Sequence, residues 1–107
     1  MNKYLTLIYN NIDVDFEAKL HNTFDEARDF IDEKWNELFN ELKQESKEAA
    51  KRKRLDYIPK VKKYNLDNDM YLNESDYPHC ERHIIISSDN KNCGDEIIYY
   101  RVLSLSI

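Results

Sequence analysis

Glycine is almost missing from this chain, Gly94 being its only one. A loop that wraps phosphate needs backbone free of Cβ atoms, so P-loops and dinucleotide fingerprints are excluded, and with them the nucleotide-binding enzymes built on such loops. Cysteine is scarce as well. Cys80 and Cys93 are too few to staple a secreted miniprotein and read as ordinary reduced thiols. Long apolar runs are lacking: stretches such as Ile84-Ile85-Ile86 fall far short of the roughly 20 residues that cross a bilayer. Met1-Asn2-Lys3 leads straight into an alternating pattern, without the apolar block and cleavage site of a secretory signal. The expected setting is cytoplasmic, with no membrane contact. Nor is there an excess of positive charge. Sixteen Lys and Arg stand against 21 Asp and Glu, a net charge of -5, which disfavours a protein that coats phosphate backbones with its whole surface.

What is present suffices for one folded domain over residues 1–107, since 41% of the chain is apolar and 12% aromatic. Val14, Phe16, Ala18 and Leu20 alternate with Asp13, Asp15, Glu17 and Lys19 at the period of a half-buried strand, and Leu5, Leu7 and Tyr9 form its partner. A two-residue turn at Asn10-Asn11 sets Tyr9 opposite Ile12, Leu7 opposite Val14 and Leu5 opposite Phe16, with those side chains facing the core and Tyr4 and Ile8 on the other face.

Thr23-Phe24-Asp25-Glu26 fits a capping box and opens a helix. At about 100° per residue, Phe24, Ala27, Ile31, Trp35, Leu38, Leu42 and Ala49 fall on one stripe, flanked by Phe30 and Phe39. No breaker precedes Pro59, so the helix is expected to reach about Arg54, with a protruding or bent second half or a break near Ser46. Residues 55–80, with Pro59, Pro78 and Asn65-Leu66-Asp67-Asn68-Asp69, read as irregular connection. Two strands follow, around Ile84–Ile86 and Ile97–Leu105, joined by a loop containing Asp89, Asn90, Asn92 and Gly94. The expected architecture is α+β in the order ββαββ: a small antiparallel sheet, made of an N-terminal and a C-terminal hairpin, packed on one long amphipathic helix.

Charge is segregated along the chain: residues 1–46 carry -6, residues 47–63 carry +6 and residues 64–107 carry -5. Glu33, Glu37, Glu41 and Glu45 follow one another at i,i+4, where each like-charge neighbour costs roughly 0.2–0.5 kcal/mol. Asp25, Asp29 and Asp32 add a second acidic row. These seven carboxylates are the candidate partner-binding residues, an acidic helix surface for a protein with a cationic face, such as a nucleic-acid-binding effector whose groove they would occupy. The alternative is a solvated helix face helped by the dipole. The expected function is therefore a non-enzymatic regulator or inhibitor, of the kind met among small phage or mobile-element anti-defence proteins that mimic nucleic acid, the anti-CRISPR proteins among them. The bias toward Asn, Lys, Ile and Tyr suits an AT-rich genome.

Lys51, Arg52, Lys53, Arg54, Lys60, Lys62 and Lys63, interleaved with Tyr57 and Tyr64, are the competing nucleic-acid-binding set. Against them stands a helix C-terminus that collects cations to suit its dipole. His79, Cys80, His83 and Cys93 supply metal-ligand types without a recognised zinc spacing, and a Cys80 and histidine pair has no glycine-framed oxyanion hole, so no metal, cofactor or enzyme is expected, and a Cys/His metal-binding or hydrolytic domain stands as the second alternative function. Asp67, Asp69, Glu74 and Asp76 lack the glycine and terminal glutamate of a calcium loop. Eight tyrosines favour a covered interface, and a Tyr-rich sheet face or an overlong helix equally suits a homodimer.

Overall fold

The computed structural model describes residues 2–12, 15–51, 60–67, 80–87 and 95–106. Expectations for Arg52–Arg54, Tyr57, His79, Cys93 and the loop from Asp89 to Gly94 lie outside those residues. Among the described residues five strands form one antiparallel sheet, crossed on one face by one helix: β1 (Asn2–Asn10), β2 (Phe16–His21), α1 (Phe24–Lys51), β3 (Lys60–Asn65), β4 (Cys80–Ser87) and β5 (Glu96–Ser106). The spatial order is β2-β1-β5-β4-β3, so β5 returns to pair with β1 and the two hairpins fuse at the centre. The α+β architecture expected from the sequence is the one observed.

α1 starts where its chemistry says. The Thr23 hydroxyl accepts from the Glu26 N–H at 3.2 Å, and the Glu26 carboxylate reaches back to the Asn22 N–H at 3.3 Å, one residue ahead of the cap. The helix then runs unbroken for 28 residues, past Ser46, about 42 Å at 1.5 Å per residue. Its stripe is used as read: Ala27 and Ile31 are fully buried, Trp35 nearly so, and Phe24, Phe30, Leu38, Phe39 and Leu42 pack around them. From Lys43 to Glu48 every side chain except Ser46 is exposed, so the far end of the rod extends past the core.

Two expectations fail at the first hairpin. Tyr9 stands opposite Phe16, Leu7 opposite Ala18 and Leu5 opposite Leu20, a register displaced by four residues. The cause is Asn11, which is tied to β5 rather than starting a return strand: its backbone N–H donates to the Ile97 carbonyl at 3.1 Å, and its side chain bonds the Ile97 N–H and the Asp95 carbonyl. That extends the β1–β5 ladder by one residue. Asn10 closes a local turn instead, its side-chain oxygen accepting from the Ile12 N–H at 2.9 Å.

The second failure is the choice of face. α1 packs on the face that holds Tyr4, Thr6 and Ile8, together with Ile98, Tyr100 and Val102 of β5, Cys80, Arg82, Ile84 and Ile86 of β4, and Val61 of β3. Leu5, Leu7, Tyr9, Phe16, Ala18 and Leu20 share the opposite face. An even displacement of register keeps those six together, as the alternation demanded. It says nothing about which face receives the helix, because the central strand β5 is apolar on both.

β3 is the strand that the sequence reading missed. Only Val61 of Lys60–Asn65 is buried, since this is an edge strand whose remaining side chains are exposed, so its apolar signal is a single residue.

Candidate functional site

The two flanks of α1 meet different surroundings. On one side Asp32, Trp35, Asn36 and Phe39 lean toward β3 and β4. Arg82, 3% exposed, is clasped between Asp32, 2.9 Å from its Nε, and Asp67, which bonds its Nη1. Asp67 also accepts the Glu81 N–H at 2.9 Å, and the Trp35 indole N–H donates to the His83 carbonyl at 3.1 Å. Lys63 donates to Asn36 at 2.8 Å while its ammonium lies 4.7 Å from the centre of the Trp35 ring and 4.9 Å from that of Phe39. A buried guanidinium needs such partners, since an unpaired charge in a core is strongly destabilising. Asp32, with its side chain 35% exposed, therefore serves the fold by neutralising Arg82.

On the other flank Lys34, Glu37, Leu38 and Glu41 stand at helical i, i+3, i+4 and i+7 and border an open groove. Its floor is Ile8, Leu38 and Tyr100, and Glu17 of β2 closes the far side. The groove continues toward the end of the hairpin, where Asp15 and Phe16 join its lining. It exists because β2 extends past the footprint of the helix: five of its six residues are exposed. Burial, with the Glu17 carboxylate nearby, pushes the Tyr100 hydroxyl above its ordinary range, so it remains a neutral hydrogen-bonding group.

The other expected partner-binding residues divide as follows. Glu33 and Glu45 are exposed on α1, whereas Asp25 and Asp29 both lie against Arg28, at 3.2 and 3.9 Å. Of the basic set, Lys60 and Lys62 share the outer face of β3 with exposed Tyr64, while Lys63 sits on the helix side among Trp35 and Phe39. The side chain of Lys51 lies outside the described residues. The lysines of β3 thus do not form one surface.

The metal and nucleophile readings come apart on β4. Cys80 points under the helix, 2% exposed, whereas His83 projects from the opposite face beside Tyr99. Burial pushes the Cys80 thiol up to about 12, with Arg82 opposing that rise. A thiol so placed is a small apolar filler rather than a nucleophile. On the outer face the Glu81 carboxylate lies 2.9 Å from Arg101 and 3.6 Å from His83 Nε2, and Tyr99 stacks on Tyr9 with ring centres 4.9 Å apart. Sequence reasoning missed this group, which unites residues distant in the chain through the β4–β5 register.

Near the cap, the Thr6 hydroxyl donates to the Lys19 carbonyl at 3.2 Å, so its oxygen accepts from His21 Nε2–H at 3.1 Å. Burial, and then Lys19, hold the His21 imidazole below its usual value, against a smaller opposing effect of Glu26. Comparisons with family models, curated proteins and solved structures gave no match.

Proposed function

We propose that the chain is a non-enzymatic protein-binding regulator or inhibitor that receives a basic, partly apolar segment of another protein in the groove between α1 and β2. One observation carries this reading: Glu37 and Glu41 on the helix and Glu17 on the strand face one another across an apolar floor of Ile8, Leu38 and Tyr100. Carboxylates on both rims attract cations and steer encounter, and the floor supplies area that a purely ionic contact lacks. Lys34 sits on the same rim with its ammonium 5.7 Å from the Phe30 ring centre, which leaves the rim acidic on balance. Glu33 and Glu45 prolong the negative field along the rod in steps of about 6 Å. A nucleic-acid-handling effector is the partner class whose cationic groove suits such a surface.

The test is recovery from cells of the source, with the wild-type chain compared against Glu37→Lys/Glu41→Lys. A partner held only by the wild type, and released as salt rises, supports the reading. Equal recovery by both overturns it, as does a wild-type chain that binds oligonucleotides directly at low salt.

A further inference from the structure

The sheet has two free edges, and their chemistry differs. β3 presents Lys60, Lys62 and Lys63 with no acid, the usual protection against edge-to-edge pairing. β2 carries one charge of each sign, Glu17 and Lys19, rather than a row of like charges. Among the described residues it pairs only with β1, and its Phe16 and Leu20 are 69% and 55% exposed.

The order of residues in β2 is complementary to itself. Around Ala18 the sequence reads Phe16-Glu17-Ala18-Lys19-Leu20, so an antiparallel copy centred on Ala18 sets Glu17 opposite Lys19, Lys19 opposite Glu17, and Phe16 opposite Leu20 at both ends. Directly opposed residues share a face. Both Glu–Lys pairs then fall on the helix side of the sheet, and both Phe–Leu pairs on the bare side. Centring the pair on Glu17 or Lys19 instead opposes like charges, so charge selects the register. Neither Glu17 nor Lys19 has an ion-pair partner in its own chain among the described residues, Lys19 resting only on the Phe30 ring at 4.8 Å.

We propose that β2 is a homodimerisation edge, at which a second copy of this chain pairs antiparallel about Ala18. The dyad stands normal to the sheet, so the two sheets become one, with both helices on the same side and Phe16 and Leu20 of each copy covered across the seam. The proposal shares Glu17 with the groove reading, but its test uses the isolated chain with no other partner present, so the two can fail separately.

Sedimentation velocity on the full chain, from micromolar to millimolar concentration, measures the dimer. Glu17→Lys and Lys19→Glu each oppose like charges twice and are expected to weaken it at least about tenfold. Mixed in equal amounts the two variants regain opposite charges at every pair and form a heterodimer, and the double exchange Glu17→Lys/Lys19→Glu restores the homodimer. Circular dichroism checks each fold. If either variant loses its helix, Ala18→Asp and Ala18→Lys repeat the experiment at the dyad itself, each monomeric alone and dimeric when mixed. A wild-type chain that stays monomeric throughout overturns the proposal. So does a dimer indifferent to the exchanges, or a mixture of folded variants that stays monomeric.

Discussion

Along one flank of α1, Asp32, Trp35, Asn36 and Phe39 are each engaged by a strand residue: Arg82, the His83 carbonyl and Lys63. Along the other, Lys34, Glu37, Leu38 and Glu41 border a groove that none of the described strands fills. The two flanks carry similar residue types, a carboxylate and a large apolar group on each, so composition does not separate them. What separates them is the strand beneath. β4 brings a buried cation that must be neutralised, whereas β2 extends past the footprint of the helix and brings Glu17, another acid. The first flank is committed to folding, and the second stays open, the side on which we propose that a partner binds.

Breaking the committed flank has the largest expected effect. Arg82→Ala strands Asp32 and Asp67 and opens a hole under Trp35, and urea unfolding should show a loss of about 3 kcal/mol, the low end for a buried pair because both carboxylates keep some solvent contact. Trp35→Phe keeps the apolar body but removes the bond to the His83 carbonyl, for about 1 kcal/mol. Thr23→Ala, at the cap both flanks share, should cost about 1 kcal/mol by the same measurement.

His21 adds a dependence on pH. Its folded value lies below the unfolded 6.5, so between the two the unfolded chain binds more protons and stability rises with pH. Acidification through 6.5 down to the folded value removes that contribution, and below it the dependence of this group is flat. His21→Asn should abolish this part of the slope in pH-dependent unfolding. The smallest effect belongs to the open flank: Glu37→Lys/Glu41→Lys should leave unfolding within about 0.5 kcal/mol of wild type while removing partner binding.

Much of this frame is legible from sequence, and the losses have physical causes. The capping box at Thr23 and the stripe from Phe24 to Leu42 are local patterns, and both are used as read. The alternation of β1 and β2 identifies a coherent face, but Asn11 joins the β5 ladder through residues more than 80 positions away, which no local turn rule contains. The helix lands on the face of Tyr4 and Ile8 because the stripe must also cover Ile84, Tyr100 and Val102. Arg82 did leave a trace: a single cation between Cys80 and Ile84 on one face of an apolar strand implies a buried acid. Which acid it takes, Asp32 rather than any other of α1, is decided by packing. Of the candidate site, Glu37 and Glu41 were found as members of a longer row, whereas the apolar floor and Glu17 opposite them depend on tertiary structure.

The asymmetry of the helix is tested most directly by making one kind of change on each flank and measuring urea unfolding of both. Asp32→Lys sets a second cation against Arg82 and is predicted to lose more than about 2 kcal/mol, while Glu37→Lys stays within about 0.5 kcal/mol of wild type. Equal losses for the two substitutions would contradict the division of the helix into a flank engaged in folding and a flank left open.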